Sequence, residues 1–173
     1  LREVVGKSQG QNVTREVLRS LHGTSWLDDI VMNVTGSLIE ERSLRRPARG
    51  RQPLPLVYAF PTHFFLGIQN PGFDYAGHVH TWTRRVNIFE RDLLLVPINK
   101  NMNHWVLAVV DFRCMRLLLV DSFGDKDDYS DDVFARLREW LQQDYEHKVN
   151  LAAQLESLKD TDPLPNGVFV RPK

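Results

Sequence analysis

Apolar residues recur at three- to four-residue spacing early in the chain, gather into short unbroken runs through its middle, and return to helical spacing near its end. Val13, Val17 and Leu21 predict a helix over 13–21. Leu27, Ile30, Val31, Val34 and Leu38, at i, i+3, i+4, i+7 and i+11, predict a second core-facing helix from about Ser25 to Glu41. Gly36 lies inside it and lowers its intrinsic helix propensity. From residue 56 the period changes: LVYAF (56–60), LLLVPI (93–98), WVLAVVDF (105–112) and RLLLV (116–120) are apolar runs bounded by turn residues, as buried strands are. Residues 130–148 place Val133, Leu137, Trp140 and Leu141 on one helical face. Asp131 and Asp132 stand in the first turn, where the helix dipole favours anions. The sum is an α+β domain with a sheet core flanked by helices.

Residues 42–55 (RSLRRPARGRQPLP) mix five arginines with three prolines and a glycine, which predicts an exposed loop. No internal repeat interrupts the pattern, and 173 residues suit a single domain over 1–173. Lys+Arg and Asp+Glu number 22 each, so the global basic field of a nucleic-acid binder is absent and recognition is expected to be local. No apolar run reaches the ~18 residues of a membrane span, and LREVVGKSQGQ has no hydrophobic stretch like a secretion signal. The one cysteine, Cys114, offers neither an internal disulfide nor a multi-cysteine zinc site. These features make a reducing compartment the default, and the expected setting is intracellular, nucleus and/or cytoplasm.

The stretch NHWVLAVVDFRCMRLLLVDS (103–122) carries the candidate chemistry. Its two apolar runs around Arg113 predict a hairpin. Centred between Phe112 and Arg113, the hairpin opposes residues whose numbers sum to 225, which makes His104 and Asp121 cross-strand partners. Opposed residues of an antiparallel pair lie roughly 4.5–5.5 Å apart at Cα, close enough for a carboxylate to hold an imidazole. Such a carboxylate fixes the tautomer and stabilises the imidazolium while the other ring nitrogen accepts a proton from a nucleophile. A hairpin with incidental polar ends is the alternative, and a one-residue slip separates the two side chains onto opposite faces.

VPINKNMNHWVLAVVDFRCMRLLLVDSFG resembles the core of the SUMO-specific (sentrin-specific, Ulp-type) cysteine proteases, with their VPI…HW.LAVVDF…DS pattern. SWLDDIVMNVTGSLIEERS (25–43) is similar to that family's WLND-containing helix, YAFPTHFF (58–65) to its A-F-x-T-x-F-F strand, and WTRRVNIFERDLLLVPI (82–98) to its WTKKVD-type segment. Residues 66–81 match poorly. The resemblance implies a papain-like-clan protease domain with a central, mostly antiparallel sheet. It implies His104 as general base and Asp121 as its orienting partner. It implies Trp26 and Trp105 as the covers of a channel that admits a Gly-Gly tail, and Asp29 as the partner of a basic residue on the modifier. Trp82 and Trp140 fit core filling instead. The implied partner is SUMO or a related ubiquitin-like modifier and its conjugates; no metal, cofactor, nucleic acid or membrane is implied.

The family's nucleophile lies in a Q-x-x-x-(S/D)-x-C-G-like segment downstream of the hairpin. Here KDTDPLPNGVFVRPK (159–173) offers PNG and then VFV, without the Cys or the oxyanion Gln, and Gln154 lies too far upstream to serve. Cys114 sits at the hairpin turn, roughly 24 Å from Asp121 at ~3.4 Å per residue. The expectation is a protease domain truncated at its C-terminus, with peptidase architecture but no turnover as given. The alternatives are a non-catalytic module that holds a ubiquitin-like modifier, and an incomplete gene model or splice product. Asn12-Val13-Thr14 and Asn33-Val34-Thr35 fit the glycosylation pattern but are set aside. So are His63, His78 and His80 as metal ligands, and DKDDYSDD (125–132), which reads as a helix start rather than a calcium loop.

Overall fold

Strand-forming residues dominate Leu93–Lys100 (β4) and His104–Asp111 (β5), and these two strands form the centre of the main sheet. The computed structural model describes residues 3–8, 11–45, 52–124 and 129–159. Val57–Ala59 (β3) runs parallel to β4, while β4 with β5 and β5 with Arg116–Val120 (β6) are antiparallel, in the order β3-β4-β5-β6. Alternation puts Leu94, Val96, Ile98, Val106, Ala108 and Val110 into one buried layer. Against it packs the helix Tyr129–Lys159 (α3), through Val133, Leu137 and Trp140, all fully buried. The Trp140 ring meets Phe60 and Phe64 edge-on at 5.3 and 4.9 Å, an arrangement that favours both ring quadrupoles. The helix predicted over 130–148 thus begins where its acidic first turn indicates and continues to Lys159.

The second predicted helix forms as Asp29–Leu44 (α2), but its inner face is not the apolar stripe. Leu27 precedes the helix and is exposed, and Leu38 is 60% exposed. Val31 is buried, and beside it Asn33, Gly36, Glu40 and Ser43, at i, i+3, i+7 and i+10, turn towards β3. The reason is the free edge of that strand. Ser43 Oγ accepts the Val57 amide at 3.1 Å, the Glu40 carboxylate faces that of Ala59, and just beyond the strand Asn33 Oδ1 accepts that of Thr62 at 2.9 Å. Buried strand amides need acceptors, and α2 supplies them from side chains. Gly36 permits the approach: a Cβ there would stand 3.0 Å from the Ala59 Cβ. Asn33, 5% exposed and bonded in this way, is no glycosylation acceptor.

The predicted helix over 13–21 is corrected. Val4–Ser8 (β1) and Gln11–Thr14 (β2) form an antiparallel hairpin, and the helix is confined to Arg15–Arg19 (α1), where the Thr14 hydroxyl caps the Val17 amide. β-branched Val13 and Thr14 extend the strand, and Leu21 is 56% exposed, so the spacing reflects no continuous buried face. Of the loop predicted over 42–55, Arg42–Leu44 end α2, residues 46–51 lie outside the described residues, and 52–54 are exposed. The segment 160–173 also lies outside them.

One polar group interrupts the buried stripe of α3. Asp144, four residues beyond Trp140, is fully buried and accepts the Tyr75 hydroxyl at 2.8 Å and the Thr83 hydroxyl, while Lys148 Nζ closes on its other oxygen at 2.6 Å. Burial, reinforced by this bond to a carboxylate, pushes the Tyr75 phenol above its usual range. Asp144 thereby ties the irregular segment 75–86 to α3. Asp144→Ala leaves those donors without their acceptor, so urea unfolding should show a loss of about 3 kcal/mol; a loss below about 1 kcal/mol contradicts this role.

Candidate active site

The cleft lies where β4, β5 and β6 end together. Between β4 and β5 the chain reverses through three residues, with Asn101 and Met102 at positive φ (52° and 58°), so His104 opens β5 directly after the turn. The β5–β6 ladder runs Leu107↔Val120 to Asp111↔Arg116, so opposed residues sum to 227, not 225. The four-residue turn Phe112–Met115, with Met115 at φ 51°, centres the hairpin one residue later than the sequence suggests. A shift of two in the sum preserves side-chain parity. Beyond the last pair of the ladder, in the turn that follows β6, Phe123 stacks on His104 at 4.4 Å, with the planes 25° apart. Asp121 sits diagonally on the same face.

His104 Nε2 lies 2.6 Å from Asp121 Oδ1. A carboxylate oxygen accepts, so Nε2 carries the proton, and Nδ1 has no hydrogen-bond partner among the described residues. The same Asp121 oxygen accepts the Phe123 amide at 2.8 Å. That amide bond, then the His104 bond and the nearby Lys100 charge, hold the Asp121 carboxyl below the usual range against the opposing effect of burial. The two side chains keep only 12% and 9% exposure, so their pairing is sheltered from solvent screening.

A cleft of about 390 Å³ opens beside this pair, walled by Trp26, Lys100, Asn101, Asn103, Phe123 and Gly124. Trp26 is 63% exposed. Of the residues singled out in the sequence, Trp26, His104 and Asp121 come together here. Trp105 does not line the cleft. Its indole Nε1 donates to the Leu27 carbonyl at 3.0 Å and holds the segment that carries Trp26. Asp29 is exposed in the first turn of α2, next to Asp28, whose side chain caps the Ile30 amide. Burial first, then the neighbouring Asp29, raise the Asp28 carboxyl against the lowering effect of the Ile30 amide bond. Phe123 is the residue that sequence reasoning missed; it is brought to His104 by the turn after β6, which no periodic pattern marks. Cys114 is exposed in the far turn, with Arg116 Nε 3.3 Å from its sulfur, and the length of β6 separates it from His104.

The family model for the Ulp1 protease family, C-terminal catalytic domain, matches residues 25–165. The chain belongs to this family. It is 35% identical over 124 residues to sentrin-specific protease 2 of Mus musculus, covering 72% of this chain and 19% of the mouse protein. It is 31% identical over 139 residues to ubiquitin-like-specific protease 1A of Arabidopsis thaliana, covering 77% of this chain and 26% of that relative. The chain thus spans about a fifth to a quarter of the length of these curated relatives. Among solved structures, the SUMO protease Ulp1 with its catalytic cysteine oxidised to a sulfenic acid aligns at a TM-score of 0.70 and 22% identity, over 84% of this chain and 62% of that one. The Ulp1 protease domain in complex with SMT3, the yeast ortholog of SUMO, aligns at 0.66 and 18%, over 84% and 61%. The fold of this Ulp1-family member is thus the Ulp1 protease fold, with its sheet mostly antiparallel as expected.

The depressed Asp121 carboxyl has a signed consequence. Its contribution to stability is full above the ordinary carboxylate range and is lost as pH falls through its lowered folded value. A carbon-13 titration of the Asp121 carboxyl should give a midpoint below the ordinary range that rises in His104→Ala; an unchanged midpoint contradicts the coupling.

Proposed function

We propose that this chain forms the general base, orienting acid and tail channel of a cysteine peptidase specific for SUMO or a related ubiquitin-like modifier. The observation that carries the reading is the sheltered His104–Asp121 pair opening on a cleft walled by Trp26. With Nε2 committed to Asp121, Nδ1 is the nitrogen that takes a thiol proton and returns it to the leaving lysine amine as the bond after a Gly-Gly tail is cleaved through an acyl-enzyme. The Trp26 ring favours a tail without side chains, and the Asp28–Asp29 helix start suits a basic residue of the modifier. Trp105 is a positioning residue in this account, acting through Leu27.

No thiol in these 173 residues reaches His104, since the one cysteine sits at the far end of the hairpin. That observation favours a second reading for the chain as it stands, a module that holds the modifier without cutting it. An intracellular setting, nucleus or cytoplasm, agrees with an exposed unpaired thiol; among the described residues no helix is long and apolar enough to cross a membrane.

Titration of SUMO into the 173-residue chain should give saturable binding that Trp26→Ala weakens by about tenfold or more, and a SUMO–fluorogenic reporter should remain uncleaved. Absence of binding contradicts the modifier reading. Turnover abolished by His104→Ala contradicts the inference that no thiol serves the base.

A further inference from the structure

A second cleft, of about 410 Å³, lies between the irregular segment Thr83–Asn87 and the C-terminal half of α3, away from the His104 cleft. Its wall is built around a turn. The Val86 amide donates to the Thr83 carbonyl at 3.1 Å, so Arg84 and Arg85 are the two central residues. Both ends of that turn are fastened to α3, the Thr83 hydroxyl to buried Asp144 and the Val86 carbonyl to Lys148 Nζ at 3.2 Å. The guanidinium groups are thus carried on an anchored backbone, and among the described residues neither has an ion-pair partner.

The charge balance is one-sided. Arg84, Arg85 and Lys148 line the cleft, and among the described residues no carboxylate does. Lys148 is paired with Asp144, whose other oxygen holds the Tyr75 and Thr83 hydroxyls, so the surplus charge at the cleft comes from Arg84 and Arg85. On a chain whose formal net charge is zero, this is a local concentration of positive charge. Opposite stand the His80 and His147 rings, 5.5 Å apart. His80 Nδ1 faces the Tyr75 carbonyl at 3.2 Å and must donate to it, which leaves Nε2 as the nitrogen available to a ligand. Val86 and Leu151 complete the lining with apolar surface.

We propose that this cleft binds a small organic phosphate, with Arg84 and Arg85 as the phosphate ligands. Guanidinium forks match phosphate oxygens bidentately, and two of them on a pinned turn suit a group of more than one negative charge. The volume exceeds what a phosphate fills and lies within the range of small-molecule sites. The imidazole rings and the Val86–Leu151 surface take the organic part. Nothing in this assignment depends on the chemistry of His104.

The test is calorimetric titration of the chain with pyrophosphate and with adenosine diphosphate. Both should bind saturably, the nucleotide at least several-fold more tightly, with His80 and His147 ring resonances moving on addition. The exposed double substitution Arg84→Ser/Arg85→Ser should weaken both by tenfold or more at an unchanged unfolding midpoint, whereas Arg42→Ser/Arg45→Ser on α2 should leave them unaltered. Failure of both probes to bind at millimolar concentration overturns the site. Equal weakening by the two double variants also overturns it, because attraction to charge in general then accounts for the signal. Equal affinity for the two probes overturns the organic part of the assignment.

Discussion

The hydrogen-bonded ladder between β5 and β6 is the constraint on which the candidate site depends. Its register sets which side chains leave the two strand ends on the same face, and the alternation of Val106, Ala108 and Val110 into the core leaves His104 no other face to occupy. A slip of one residue would expose the apolar set of β5 and carry the imidazole away from Asp121. The packing of Val133, Leu137 and Trp140 on that layer therefore protects the site geometry as well as the fold. Phe123, in the turn that follows β6, covers the ring and donates its amide to the acid. Backbone pairing, core burial and the orientation of the imidazole are one arrangement.

Polar groups inside the fold share a second logic, in which buried donors of the strand edge and of the irregular segment are met by side chains of a helix. Along β3 and just beyond it, the Val57 and Thr62 amides find Ser43 and Asn33 on α2, with Glu40 facing Ala59 between them. On the other side, Asp144 of α3 collects hydroxyls from the irregular segment and a lysine from its own helix. Unmet donors cost more than formed bonds return, so these contacts chiefly specify where elements sit. Through Ser20, whose hydroxyl accepts the Asp28 amide at 3.1 Å, and through Trp105, the start of α2 and the segment bearing Trp26 are located in the same way.

The strands were legible because each is a short apolar run whose burial the sheet requires, and the pairing of His104 with Asp121 was legible because a two-residue error in the register sum leaves both on one face. The hairpin centre was not, since nothing local marks Met115 as the residue that takes positive φ. The inner face of α2 was hidden for a physical reason: Asn33, Gly36, Glu40 and Ser43 read as a solvent face, and their burial makes sense only beside the unpaired edge of a strand distant in sequence. Asn33 was even readable as a glycosylation site. The N-terminal hairpin was missed because the spacing of Val13, Val17 and Leu21 imitates a helix over too short a span to distinguish the two. Asp144 and the Arg84–Arg85 turn depend on contacts about sixty residues apart, which no local pattern reveals.

The account turns on His104 being held by its Nε2 atom, with Nδ1 left open to the cleft. Nitrogen-15 NMR of the imidazole at alkaline pH reads this directly. The account predicts an Nε2–H tautomer whose population shifts towards Nδ1–H in Asp121→Asn. A dominant Nδ1–H tautomer in the unmodified chain, or ring signals indifferent to that substitution, would contradict it.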